Sequence, residues 1–171
     1  MSNSTIPFDR LPNTQLNQAL STNPYFIGVY PRDRLPKTLD LCRRQRPPLT
    51  LIVNTDTCNL SGRHWVAAYI DQSGHAEYFD SLAQPIPYHI SLWLTRFAAQ
   101  WTYVLHPFID PPIQNMSSQT CGAFTFYFVH RRPLLNSCRA VLSPFRSSHS
   151  NDQFVITYLN KMLIEKAHVF I

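Results

Sequence analysis

At one Cys-Gly pair, a polar, Ser/Thr-rich loop turns into an unbroken apolar run: residues 114–128 read QNMSSQTCGAFTFYF. This junction restricts the fold more than any other stretch, because it places a thiol at the start of a segment that must be buried. At the N-terminus of a buried helix, unpaired backbone N–H groups and the positive end of the helix dipole lower a thiol pKa and favour the thiolate. The same N–H groups can face a developing oxyanion. Gly122 lacks a Cβ and leaves room for a carbonyl to approach the backbone. Cys121 is therefore the candidate nucleophile. The competing reading is a small buried residue of a type often found inside.

A chain of 171 residues with 44% hydrophobic content can bury one good core and is short for two. A single domain over 1–171 is expected, with 1–12 as a flexible tail. No apolar run approaches about 18 residues, and no basic-then-apolar start ends in a cleavage site. The expectation is a soluble, intracellular, monomeric protein. Cys42, Cys58, Cys121 and Cys138 are widely spaced without C-x-x-C, which argues for reduced thiols and against a disulfide framework or a zinc site. No metal or small-molecule cofactor is expected. The net charge of +5 includes clusters at Arg43, Arg44 and Arg46 and at Arg131 and Arg132. These are candidate DNA-binding positions, set against an ordinary solvated basic surface.

In chain order, Asn13 can cap a short helix carrying Leu16, Ala19 and Leu20. Tyr25 to Tyr30 reads as a strand. Residues 31–48, rich in proline and charge, read as a surface loop with one helical turn at Leu39 to Arg43. Leu49 to Thr55 is apolar and β-branched, as a central strand should be. His64 to Asp71 and Ala76 to Ser81 read as a hairpin turning at Gln72-Ser73-Gly74.

Beyond Pro87 the period changes, and Ile90, Trp93, Leu94, Phe97, Ala98 and Trp101 mark one face of a helix. A strand then ends near Pro107 and the Asp110-Pro111-Pro112 turn. Residues 122–132 are ambiguous, since propensity favours strand while length favours a buried helix. Residues 133–150 read as loop, and Asp152 to Ala167 as an amphipathic helix. The class is α+β, with a small, mixed, mostly antiparallel sheet packed by helices.

Catalysis by a thiolate requires a histidine to carry the proton, a group to fix that histidine, and donors for the oxyanion. His64 begins one hairpin strand and Asp80 ends its antiparallel partner, so the two lie together at one end of the sheet. The expected arrangement has Asp80 accepting from His64 Nδ1–H while Nε2 faces Cys121. His75, His106, His130 and His149 are the other available imidazoles, of which His130 lies too far along the helix to reach Cys121. Asp80 alternatively reads as a strand-ending turn carboxylate, and Trp65 as plain core.

His64-Trp65, Asp80 after Tyr-Phe, Gln114, and Cys121-Gly122, in this order, resemble the adenovirus protease (adenain) family. The likeness extends more loosely to the SUMO and other ubiquitin-like-protein proteases. PYFIGVY, LIVNT, GRHW and CGAFTFYFVH are similar to adenain segments in the same order, so the resemblance covers about residues 13 to 170. It implies that Cys121 is the nucleophile at the start of the central buried helix and His64 the base and acid. Asp80 would orient His64, Gln114 would donate its amide to the oxyanion, and Trp65 would shield the pair. Asn115 is the substitute donor if the loop register differs, and Gln119 lies too near Cys121 to fold back.

The function so implied is a viral endopeptidase that processes capsid and core precursors after small residues such as glycine, in the virion and host nucleus. Viral DNA and a short activating peptide are implied as cofactors. AAQWTYVLHPFIDPP contains no cysteine to tether such a peptide, and Asp80 stands where adenain has glutamate. Non-covalent strand addition remains open. The alternatives are a deubiquitinase or SUMO protease acting on a diglycine tail, and an inactive nucleic-acid-binding module of the same fold.

Overall fold

The computed structural model describes residues 13–37, 46–60, 62–73, 75–98, 105–108, 111–146 and 148–169. The expected tail 1–12, the helical turn at 39–43, and Cys42, Arg43, Arg44, Trp101 and Asp110 lie outside these residues.

Helix α1 (Asn13–Leu20) precedes strands β1 (Phe26–Pro31), β2 (Leu49–Asn54), β3 (Trp65–Ile70) and β4 (Ala76–Phe79). Helix α2 (Tyr88–Ala98) and strand β5 (Leu105–Phe108) follow. Then come α3 (Cys121–Arg131), α4 (Cys138–Leu142) and α5 (Ser148–Val169). The strands lie side by side in chain order in one five-stranded sheet. Its centre, β2-β3-β4, is antiparallel, while β1 and β5 add in parallel to β2 and β4 at the flanks. Those parallel additions require long crossovers, and α2 lies within the second. The β3–β4 turn is built on Asp71, whose Oδ1 accepts from the Ser73 and His75 backbone N–H groups at 2.9 Å each. This use of an Asp side chain in place of a backbone acceptor is ordinary turn chemistry.

Both faces of the sheet are covered, which explains why β2 and β3 are buried at every position rather than at alternate ones. Ile52, Ala67, Tyr69 and Phe79 pack on one side with α1, α3 and α5. Leu51, Val53, Val66, Ala68 and Tyr78 pack on the other with Ile90, Trp93 and Leu94 of α2. Helix α3 is buried from Cys121 through Val129, so the ambiguous run resolves as helix. Tertiary burial overrides its β-leaning composition. Its Phe128 ring stacks on Phe79 of β4 with centroids 4.4 Å apart.

Residues 133–150 depart from the loop expectation. Arg132–Leu134 forms a 3-10 turn, and α4 begins after Ser137, whose Oγ accepts from the Ala140 N–H at 3.2 Å. Helix α5 starts at Ser148, before the expected Asp152. Elements this short lack enough periods for a hydrophobic pattern to show, and only the Ser cap marks α4 in the sequence. Among the described residues, no helix is long and apolar enough to cross a membrane.

The Phe79–Phe128 contact holds α3 to the sheet. Phe128→Ala removes a fully buried ring and leaves a cavity, so urea unfolding should show a loss of about 3–5 kcal/mol.

Candidate active site

His64 lies one residue before β3, and Asp80 one residue after β4. The pairing Ala67↔Phe79 continues outward to bring them together. His64 Nε2 and Asp80 Oδ1 are 2.7 Å apart, with the histidine 8% and the aspartate 1% exposed. The His64 backbone is fixed by its carbonyl, which accepts from the Thr55 N–H at 3.0 Å. Asp80 Oδ1 also accepts from the Leu82 N–H at 2.8 Å, and the buried Tyr78 hydroxyl lies 3.5 Å from Oδ2. Burial beside this carboxylate raises the Tyr78 pKa.

The ring orientation reverses the expectation. Nε2, not Nδ1, meets Asp80, and the Cys121 thiol interacts with the same imidazole. Burial works against the imidazolium. The hydrogen bonds and charges of Asp80 and Cys121 outweigh it and push the His64 pKa up to about 9. Cys121 is the first residue of α3, 7% exposed, with the positive end of the helix at its backbone. Gly122 is the next, buried residue of the helix.

Gln114 is 2% exposed and enters the same cleft. Its Oε1 accepts from Ser81 Oγ at 2.6 Å, and its Nε2 donates to the Ser118 carbonyl at 3.1 Å and hydroxyl at 3.2 Å. Asn115, the substitute donor, uses its Oδ1 on the Ser117 N–H at 3.0 Å and so builds the loop itself. The loop before Cys121 is anchored to α5. Asn151 Nδ2 donates to the Ile113 carbonyl at 2.9 Å, and Asp152 Oδ1 accepts from Thr120 Oγ1 at 2.9 Å.

His64, Trp65, Gln114 and Cys121 share an open cleft of about 890 Å³. Trp65 belongs at once to the core and to this cleft wall. Gly62 lines it with φ +82, and a Cβ there would run into the Asn54 carboxamide. The wall is therefore confined to a residue without a side chain.

Two of the other histidines have other roles. His75 completes the β3–β4 turn with Asp71 and Ser73, and His130 Nδ1 meets the Tyr158 hydroxyl at 2.6 Å. Cys138 is buried, which with the charge of Glu77 pushes its thiol up to about 12, whereas Cys58 is exposed.

Of the five candidate DNA-binding arginines, Arg43 and Arg44 lie outside the described residues, and Arg46 is exposed. Arg131 is half-buried. Arg132 is a correction. It is 6% exposed, its Nε and Nη2 grip Glu77 at 2.6 and 2.7 Å, and its guanidinium covers the Tyr69 ring at 4.1 Å. A guanidinium satisfied in this way is structural, and its partner was hidden in the sequence because Glu77 lies on a distant strand. Ser81, Asn151 and Asp152 were equally hidden, although Ser81 adjoins Asp80.

No family model matches the chain. A segment of 88 residues, 47% of this chain, is 30% identical to the SUMO-1 cysteine protease S273R of African swine fever virus and spans 32% of that protein. The cysteine protease S273R of the Badajoz strain matches with the same identity and coverage. The matched segment thus spans about a third of the curated relatives' length. The crystal structure of the African swine fever virus pS273R protease superposes with a TM-score of 0.60 at 17% identity, covering 88% of this chain and 68% of that one. Its selenomethionine form gives a TM-score of 0.58. The chain has the fold of that viral protease.

Proposed function

We propose that this chain is a viral cysteine endopeptidase, related to the adenain group, that processes capsid and core precursor proteins during virion maturation. One observation carries the reading: a single buried imidazole held between a buried carboxylate and the thiol at a helix N-terminus. The likeness to a viral cysteine protease supports it.

In this reading His64 is an imidazolium at neutral pH, and its charge stabilises the Cys121 thiolate. The sulfur attacks the scissile carbonyl carbon, and the C=O π pair moves to oxygen. The Cys121 backbone N–H and the Gln114 amide stabilise that oxyanion. The His64 imidazolium delivers a proton to the departing amine as the C–N bond breaks and a thioester forms. Water then attacks the thioester, His64 takes its proton, and the thiolate leaves. Asp80 holds the ring and its charge throughout. The resemblance to adenain favours cleavage after small residues such as glycine.

The name of the African swine fever virus relative, a SUMO-1 cysteine protease, favours one second reading, action on a diglycine-tailed modifier. Viral DNA and a non-covalently added peptide are the candidate activators, and virion and host nucleus the proposed locations. Both activators are tested by the hydrolysis rate with and without each.

Iodoacetamide at neutral pH should label Cys121 ahead of the other thiols, and His64→Ala should abolish that preference. Cys121→Ala should eliminate cleavage of glycine-containing precursor peptides. Reaction with a SUMO or ubiquitin electrophile, without precursor cleavage, would select the modifier protease. No preferential labelling and no cleavage would leave the inactive nucleic-acid module.

The pH dependence follows from His64. Its folded pKa lies above its ordinary value of 6.5, so its pairing contributes fully to stability below 6.5 and is lost as pH rises through about 9. The stability difference between wild type and Asp80→Asn should therefore decrease over that window in thermal melts. kcat/KM should fall on the alkaline side with an apparent pKa near 9 as His64 loses its proton, and Asp80→Asn should move that limb to lower pH.

A further inference from the structure

Asp80 and Ser81 follow β4 directly, and adjacent side chains there reach two different parts of the site. Asp80 meets His64, while Ser81 meets Gln114. We propose that Ser81 is a positioning residue for peptide hydrolysis: its hydroxyl fixes the carboxamide of Gln114 so that the N–H end faces the cleft beside Cys121. The proposal rests on the cysteine-protease reading and deepens it.

The hydrogen-bond network admits one orientation of the amide. Ser81 Oγ donates to Gln114 Oε1 at 2.6 Å, with Ser81 fully buried and Gln114 2% exposed. Reversing the amide would bring Oε1 against the Ser118 carbonyl oxygen, which now accepts from Nε2 at 3.1 Å. Two acceptors would then face each other in a buried site, and the nearby Ser118 hydroxyl could relieve them only by giving up its bond to the Asn115 carbonyl. The Ser81 carbonyl also accepts from the Ile113 and Gln114 backbone N–H groups at 3.0 Å each, so the residue holds both the main chain and the side chain of Gln114.

On the cleft side, Nε2 makes a second contact to the Ser118 hydroxyl at 3.2 Å. A neutral hydroxyl is a weaker acceptor than an oxyanion, so this proton can turn to the developing charge. Ser81 keeps the far end of the amide fixed while the near end changes partner. The hydroxyl of Ser81 thus serves the transition state and not the substrate ground state.

The experiment is a double-mutant cycle on the full chain, read by steady-state hydrolysis and by iodoacetamide alkylation of Cys121. Gln114→Ala should lower kcat by about 10²–10³-fold, as loss of an oxyanion donor does. Ser81→Ala should lower kcat roughly tenfold with KM nearly unchanged, the size of one neutral hydrogen bond, and should lower it no further in the Gln114→Ala background. Alkylation displaces iodide from a saturated carbon and needs no oxyanion donor, so its rate should be the same in all four proteins.

Three results would overturn the proposal: unchanged kcat in Ser81→Ala, the same fold-loss in the Gln114→Ala background, or a parallel slowing of alkylation. Should Ser81→Ala not fold, Ser81→Cys, close in shape and a weak donor, takes its place in the cycle. Should neither fold, the wild-type Gln114 side-chain amide protons decide by NMR. Solvent exchange much slower than that of a free carboxamide supports the clamp, and exchange at the free rate refutes it. If wild type cleaves peptides while the cycle is additive, Ser81 fails alone. If wild type neither cleaves nor labels at Cys121, the protease reading fails and the Ser81 role fails with it.

Discussion

The antiparallel pairing of β3 with β4 is the constraint on which the rest of the molecule depends. With Ala67 opposite Phe79, His64 and Asp80 emerge together at one end of the ladder, 2.7 Å apart. A slip of one residue would turn each side chain to the other face and separate them. What prevents the slip is the core. Ala67 and Tyr69 face α3 and Phe79 lies beneath Phe128, while Val66, Ala68 and Ile70 face α2. The same apolar alternation that buries the sheet on both sides therefore sets the distance between two polar groups.

Cys121 reaches that pair because α3 is fixed at both ends. At its N-terminus, Thr120 and Ile113 are tied to Asp152 and Asn151 of α5, so the loop carrying Gln114 cannot drift from the helix. Just beyond its C-terminus, Arg132 grips Glu77 of β4 with two hydrogen bonds beneath the Tyr69 ring. A buried ion pair adds little net stability, because desolvation offsets most of the attraction. Its directional bonds are more useful, since they align α3 with β4 at the end opposite the thiol. Packing between Phe79 and Phe128 acts between those two anchors.

Much of this was legible in the sequence because its signals are local. The hairpin and the amphipathic α2 declare themselves by turn residues and by period, whereas the apolar run of α3 was open between strand and helix until its burial decided it. The order of His64, Asp80, Gln114 and Cys121 was legible through resemblance, and the structure brings His64, Gln114 and Cys121 into one cleft with Asp80 directly behind His64. What escaped the sequence depends on partners far away in the chain. Arg132 read as a candidate DNA contact until Glu77 appeared beside it, and Ser81 as the last residue of a strand until Gln114 did. Short helices such as α4 escaped for a different reason, having too few turns to establish a period.

The reversed imidazole has a geometric cause that residue order does not carry. Nδ1 adjoins the carbon that joins the ring to Cβ, so it stays near its own strand, whereas Nε2 lies at the far side of the ring and reaches further. Asp80 stands across the ladder on the neighbouring strand, a position suited to the more distant nitrogen. Cys121 sits on α3, which packs on the face of β3, and meets the imidazole from there. Which ring nitrogen takes the carboxylate therefore follows from the strand that carries Asp80 and not from the order of the residues in the chain.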